Sequence, residues 1–270
     1  MELHANDPNI CSVSGIKFNG SINEGDSETF AFFLKKLYAK YGETTCRGAA
    51  NVYIDSNGGS VEEALRIGEI IRSNEMTIWI APNGKCFSSC VFLLAAGINR
   101  LIFGSVGIHR PFYTKLDANT PISEVRRQRE ILNERIRNYL IRMDVSPKLL
   151  EDSLGVEPEK IKILTENERM MYRIEGRDAA YDELITARMA EFYEMPMAEY
   201  RTKNQQAISK CNTKENFSVP YAMTNCLDSE MLGISTTEAE RRRVKVISQC
   251  SGKEKKGYLE CRKNILVRGK

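Results

Sequence analysis

The chain has 270 residues, of which 42% are hydrophobic and 28% are charged, and its formal net charge is +3. This composition is that of a globular protein and argues against disorder over most of the length. The length allows one large domain, or one domain with a smaller appendage. The net charge is too small to indicate a nucleic-acid partner, and no run of 18 apolar residues predicts a membrane span.

Strands and helices are predicted to alternate along the first part of the chain. The predicted strands are 16–22, 52–54, 76–80, 101–103 and 106–108. A helix capped by Asp26 or Ser27 and ended by Gly42 follows the first strand, and Ser60 with Glu63 is spaced as a capping box for a second helix. Alternation at this spacing favours parallel β-α units, which place functional groups at the carboxyl ends of the strands.

Further helices are predicted by apolar runs and helical periodicity. Residues 88–96 are apolar nearly throughout and are stopped by Gly97, which is typical of a buried helix. Thr120 and Pro121 open a long helix, and 182–200 is predicted to be helical. The interspersed arginines and glutamates of the long helix indicate a solvated or subunit-facing surface.

Eight cysteines bear on the cellular compartment: Cys11, Cys46, Cys86, Cys90, Cys211, Cys226, Cys250 and Cys261. An even number favours disulfide bonds in an oxidising compartment, and reduced thiols in a cytosolic protein are the alternative. We expect the last four to pair with one another. A bridge between Cys86 and Cys90 would fix the entrance to the helix that follows, although an i, i+4 pair in a regular helix rarely meets disulfide geometry. With two histidines and no CxxC pair, the chain lacks metal-ligand spacing.

Three short segments carry residue types suited to acyl transfer. The first is a strand-to-helix turn with the paired glycines Gly58 and Gly59, which permit positive φ and close approach to backbone amides. The second places Ser88 at the mouth of the apolar helix, near N–H groups that can stabilise an oxyanion. The third contains His109, the candidate base, because the other histidine, His4, lies in a terminus that we expect to be frayed. Taken singly, the segments also fit an ordinary turn, a helix N-cap and a structural histidine.

Together, the three segments resemble the ClpP/crotonase superfamily. A Ser-x-Gly-Gly turn is followed by a serine that opens an apolar helix ending in Leu-Leu-Ala-Ala-Gly (93–97), and then by His-x-Pro (109–111). Over residues 14 to 175 the chain resembles ClpP-type serine peptidases, in a divergent secreted or periplasmic branch. The resemblance implies an α/β fold, namely a ClpP/crotonase-type β-α superhelix with a small cysteine-rich C-terminal appendage. The catalytic domain would span 1–175, and 176–270 would be helical and then basic and cysteine-rich.

The resemblance also implies roles for individual residues. The family's nucleophile falls on Ser88 and its general base on His109, and the N–H groups of Gly59 and Ser89 would form the oxyanion hole. Asn57 replaces the proline of the family's glycine turn, and larger residues flank the nucleophile, namely Cys86, Phe87 and Cys90. The third triad member is unassigned, because Ile161 stands at the place of the aspartate. The nearby carboxylates are Asp152, Glu157 and Glu159.

The implied function is that of an ATP-independent serine peptidase acting on a peptide or unfolded protein, with no cofactor and no metal. The resemblance further implies a homo-oligomer with no nucleic-acid partner. The first eight residues lack the features of a signal peptide, so we expect a periplasmic or secreted protein from which a leader has been removed, or else a cytoplasmic one. Two other functions stay open: a non-catalytic ClpP-like binding or assembly module, and a crotonase-like enzyme acting on acyl-CoA thioesters.

Overall fold

The computed structural model describes residues 1–5, 14–42, 46, 48–111, 120–213, 216, 221–251 and 255–270. The chain divides into two units, Met1–Ala179 and Ala180–Lys270. All strands of the described residues belong to the first unit, whereas the second is helical. No helix in these ranges is long and apolar enough to span a membrane.

The bounds of the elements follow in chain order. The strands are β1 (Glu2–Ala5), β2 (Ser14–Ile22), β3 (Asn51–Gly59), β4 (Thr77–Ile80), β5 (Lys85–Phe87), β6 (Asn99–Ile102), β7 (Ser105–Ile108), β8 (Lys162–Ile163) and β9 (Gly176–Arg177). The helices of the first unit are α1 (Asp26–Tyr41), α2 (Val61–Ser73), α3 (Cys90–Ala96), α4 (Ile122–Arg142), α5 (Lys148–Leu154) and α6 (Glu166–Tyr172). The remaining helices are α7 (Ala179–Phe192), α8 (Met197–Cys211), α9 (Ala222–Leu232), α10 (Thr236–Cys250) and α11 (Lys255–Leu266). The predicted α/β fold is confirmed.

Strand β3 divides the sheet into two branches. One of its edges pairs in parallel with β2, which in turn pairs with β1. The other edge pairs first with β4, at residues 51–53, and then with β5, at Ser56. Strand β4 continues the sheet to β6 and β9, whereas β5 continues it to β7 and β8. Because β3, β5 and β7 are parallel neighbours, their carboxyl ends lie at the same edge of the sheet.

Helix α3 is buried on every side, as its uninterrupted apolar sequence requires. Helix α4 holds it in place through Tyr139, whose hydroxyl donates to the Phe92 carbonyl at 2.6 Å. Burial raises the pKa of Tyr139, so the hydroxyl stays protonated as a donor. Gly68 of α2 leaves room for this ring, because a Cβ atom added there would lie 1.7 Å from the tyrosine oxygen.

Arg100 anchors the carboxyl end of α3. Its side chain is 1% exposed and donates to three carbonyl oxygens, those of Arg173 at 2.7 Å, Ala95 at 2.8 Å and Met143 at 3.0 Å. Burial lowers the pKa of the guanidinium to about 10, so it keeps its charge at neutral pH. The Asp178 carboxylate, 3.6 Å away, partly balances that charge. A buried cation with several acceptors is costly to remove, so this contact fixes the end of α3.

Two expectations about the first elements are wrong. Helix α1 is not capped by Asp26 or Ser27: the chain enters it through Gly25 at φ 85, and the Glu63 carboxylate of α2 accepts a hydrogen bond from the Ser27 N–H at 2.8 Å. The Asp26 carboxylate instead accepts from the Asn23 N–H at 2.7 Å and closes the preceding turn. His4 does not lie in a frayed end, because residues 2–5 pair with β2 in an antiparallel ladder.

The second unit contains two disulfide bonds, Cys211–Cys226 and Cys250–Cys261. The prediction that the last four cysteines pair with one another is therefore confirmed. The helix predicted over 182–200 is two helices, α7 and α8, because the chain takes a positive φ of 56° at Glu194 and Pro196 follows. Cys46, in the first unit, is also disulfide-bonded, whereas Cys11 lies outside the described residues.

Candidate active site

The three candidate segments meet at the carboxyl ends of β3, β5 and β7. Gly58 and Gly59 end β3, Ser88 follows β5, and His109 follows β7. The Ser88 N–H donates to the Gly107 carbonyl of β7 at 3.0 Å. On the other side, a Cβ atom added to Gly58 would lie 2.7 Å from the Ser88 Cβ atom. Only glycine allows the turn after β3 to approach the serine this closely.

Ser88 lies in a sharp turn between β5 and α3. Its φ is 59°, in the left-handed region that L-residues seldom adopt. A helix cannot include such a residue, so the expected helix start at Ser88 is wrong, and α3 begins at Cys90. Cys86 and Cys90 form a disulfide across the turn. This pairing is possible because Cys86 belongs to a strand and the two cysteines do not share a helix.

One small cavity brings Ser88 and His109 together. Apart from Ser88, Ser89 and His109, its lining consists mainly of apolar side chains: Val61, Val91, Phe92, Ile108, Pro111, Leu149 and Leu150, with Ser153. The cavity has a volume of about 20 Å³, which is roughly the space of one water molecule. Its apolar walls lower the local dielectric and so strengthen polar interactions made inside it.

His109 is oriented by the backbone that follows it. The ring is 9% exposed, and its Nδ1 atom lies 3.0 Å from the Arg110 carbonyl oxygen. A carbonyl oxygen can only accept a hydrogen bond, so Nδ1 carries the proton in this contact. In the neutral ring, Nε2 is then the basic nitrogen, as a general base requires.

The amides of the two glycines have side-chain acceptors. The Gly59 N–H donates to the Ser89 hydroxyl at 2.8 Å, and this hydroxyl lies 3.0 Å from the Gly59 carbonyl oxygen, to which it donates. The Gly58 N–H donates to the Ser56 hydroxyl at 3.0 Å. Sequence reasoning missed both contacts, because nothing in the spacing of these serines shows where their side chains point.

A model of the Clp protease family matches residues 16–181, which is more than half of the chain. The chain belongs to the Clp protease family. The matched range includes Gly58, Gly59, Ser88 and His109, so all three strand ends lie inside the Clp protease domain. A search of curated proteins finds no match to this chain.

Two of the three carboxylates near the candidate site have other partners, and the third is exposed. Asp152 accepts from the Tyr172 hydroxyl at 2.5 Å and pairs with Lys148 at 3.0 Å, and these hydrogen bonds lower its pKa. Glu157 pairs with Lys160 at 2.7 Å, and Glu159 is exposed. We therefore assign none of the three as the acid that orients His109.

Ile161, which the sequence resemblance places at the position of the family's aspartate, lies just before β8. The register of β7 and β8 pairs Ile108 with Lys162, so position 161 continues towards His109. The Ile161 side chain packs over Gly107, where an added Cβ would lie 2.5 Å from its Cγ2 atom. An apolar side chain thus follows from this register at the position opposite His109. Among the described residues, no cluster of three or more His, Cys, Asp or Glu could hold a metal ion.

Proposed function

We propose that this Clp protease family member is a serine peptidase that hydrolyses peptide bonds by acyl transfer, without ATP. Ser88 is the nucleophile and His109 the general base, and the N–H groups of Gly59 and Ser89 bind the oxyanion. The observation that carries the proposal is the cavity at the ends of β5 and β7, which is lined by both the serine and the histidine.

The reaction has two stages. His109 Nε2 takes the proton of the Ser88 hydroxyl as the oxygen attacks the peptide carbonyl carbon, and the tetrahedral oxyanion accepts hydrogen bonds from the two N–H groups. When the C–N bond breaks, the imidazolium gives its proton to the leaving amine and an acyl-serine remains. Water then attacks the ester, again with His109 as base, and releases the acid and the free serine.

The proposed site works as a serine–histidine pair with a backbone acceptor. The Arg110 carbonyl holds Nδ1 protonated and so selects the correct tautomer of His109. It carries no full negative charge, so it stabilises the imidazolium less than an aspartate does. In serine proteases with a complete triad, replacing the aspartate by asparagine lowers turnover by about 10⁴. We therefore expect slower turnover than in a complete triad.

The expected substrate is a peptide or an unfolded protein. The described disulfides are typical of an oxidising environment, and we propose a periplasmic or secreted location. Clp proteases are typically oligomeric, and we propose that this one forms a homo-oligomer. No nucleic acid is expected to take part.

A non-catalytic binding or assembly module is the second candidate. Ile161 favours it, because the side chain at this place is apolar and cannot itself supply a carboxylate to His109. A thioester enzyme of the crotonase type is disfavoured, since such a site has no need of a serine beside a histidine.

Labelling with a fluorophosphonate separates these candidates. The wild-type protein should be modified at Ser88, Ser88→Ala should not be labelled, and His109→Ala should be labelled more slowly by orders of magnitude. Ser153→Ala is the matched control, because Ser153 lines the same cavity while its hydroxyl donates to the Leu149 carbonyl. Undiminished labelling of Ser88→Ala would exclude Ser88 as the nucleophile, and an unlabelled wild-type protein would favour the non-catalytic module.

A further inference from the structure

The Ser89 hydroxyl accepts the hydrogen bond of the Gly59 N–H, which is one of the two N–H groups proposed to bind the oxyanion. This hydrogen bond is 2.8 Å long, and the hydroxyl in turn donates to the Gly59 carbonyl at 3.0 Å. Ser89 is 2% exposed, whereas Gly59 is exposed, so the reciprocal pair is partly buried. A backbone N–H carries a single proton and makes one strong hydrogen bond. A tetrahedral intermediate can therefore bind at Gly59 only after the hydroxyl has left.

The position of Ser89 makes this contact unexpected. Ser89 is the N-cap residue of α3, where a serine hydroxyl ordinarily accepts an N–H from the first turn of its own helix. Here the side chain makes no capping hydrogen bond and points to the turn after β3 instead. The two glycine amides thus differ in the origin of their acceptors: Ser56 belongs to the same strand as Gly58, whereas Ser89 adjoins the nucleophile.

We propose that the Ser89 hydroxyl closes the oxyanion hole in the resting protein and acts as a gate that substrate must displace. This inference rests on the proposed function, because it takes the Gly59 N–H as an oxyanion donor. The hydroxyl and the oxyanion compete for one proton. The gate therefore slows acylation by a factor that rises exponentially with the free energy of the hydrogen bond that is broken.

Removing the hydroxyl should speed the reaction. The net contribution of one such hydrogen bond corresponds to a rate change of roughly two- to tenfold, so Ser89→Ala should be labelled at Ser88 by a fluorophosphonate about two to ten times faster than wild type. Ser56→Ala is the matched control, since it removes a buried hydroxyl from the neighbouring amide of the same turn and should be no faster than wild type. Ser89→Gly is a second variant that lacks the hydroxyl, and its Ser88 labelling should also be faster than that of wild type.

A second measurement checks the contact without relying on activity. Hydrogen exchange of the Gly59 amide should be slow in wild type and in Ser56→Ala, and faster in Ser89→Ala and Ser89→Gly. Labelling of the Ser89 variants at or below the wild-type rate, with Gly59 exchange accelerated, would overturn the gate but leave the peptidase proposal standing. An absence of Ser88 labelling in every protein would overturn the proposed function and the gate together.

Discussion

Removal of the Cys86–Cys90 disulfide should slow the reaction at Ser88, while it lowers the free energy of unfolding less than removal of the Cys211–Cys226 disulfide does. The two cysteines are fully buried and lie on either side of Ser88, four positions apart in the sequence. Replacing both by alanine deletes the bridge without placing new polar groups in the core. The turn that carries Ser88 is then held at its positive φ only by its hydrogen bonds and packing.

The magnitudes follow from loop length and backbone conformation. In the chain-entropy model, a bridge of separation 4 stabilises the folded protein by about 2 kcal/mol, whereas one of separation 15, Cys211–Cys226, contributes about 3 kcal/mol. A left-handed conformation costs a residue such as Ser88 about 1–2 kcal/mol. If the freed turn relaxes and must be rebuilt for each reaction, the rate falls by roughly 5- to 30-fold.

The assay compares two double variants. Cys86→Ala/Cys90→Ala and Cys211→Ala/Cys226→Ala are unfolded in urea for the free energy of unfolding, and their Ser88 labelling rates are measured where both are folded. We expect the first variant to show the smaller decrease in the free energy of unfolding and the larger decrease in the Ser88 labelling rate. The second variant should show the larger decrease in the free energy of unfolding and the smaller decrease in the labelling rate. Labelling of the first variant at the wild-type rate would refute the reasoning, as would an equal slowing of both.

Two further predictions concern position 161 and a helix cap. Ile161→Asp should place a carboxylate near His109 and speed Ser88 labelling by an order of magnitude or more. The neutral Ile161→Asn should not speed labelling. Equal labelling rates for the two variants would show that the side chain at position 161 does not reach the imidazole ring. Glu168 pairs with Lys162 at 2.7 Å and accepts from the Thr165 N–H at 2.9 Å, and these hydrogen bonds lower its pKa from 4.5 to about 2. Because the folded-state pKa is the lower one, this stabilisation is present above about pH 4.5 and is lost as the pH falls towards 2. Glu168→Gln keeps an acceptor for the Thr165 N–H but loses the charge that pairs with Lys162, so it should be less stable by about 0.5 kcal/mol at neutral pH. Urea unfolding at pH 7 and pH 2 should show the difference disappearing in acid.

The order of elements in the sheet domain could be predicted because each has a distinct hydrophobic period. The alternation around Val52 and Ile54 and the helical spacing of α1 both follow from burial of one face. Strand β5 was missed, since three residues are too few to show an alternating pattern. The start of α3 was misplaced for a related reason: the apolar run continues through Ser88, whereas its left-handed φ is set by tertiary contacts.

The residues of the proposed site can be selected from the sequence, whereas their hydrogen bonds cannot. Gly58, Ser88 and His109 stand at the ends of strands whose parallel order follows from their β-α connections. The bond from Gly59 to Ser89 depends on a side-chain rotamer, and the one from His109 to the Arg110 carbonyl depends on the path of the chain after β7. Neither leaves a signal in sequence spacing.

The pairing of β3 with β2, β4 and β5 links correct folding to activity. Along β3, buried side chains alternate with exposed ones, and the strand ends in the glycine turn beside Ser88. A slip of one residue would bring Asp55 to the buried face and move Gly58 away from the serine, where any Cβ atom would collide. A misregistered chain would thus lose both its core and its proposed reactive centre. Reactivity at Ser88 would therefore serve as a probe of refolding, appearing only in molecules whose central strand has found its native register.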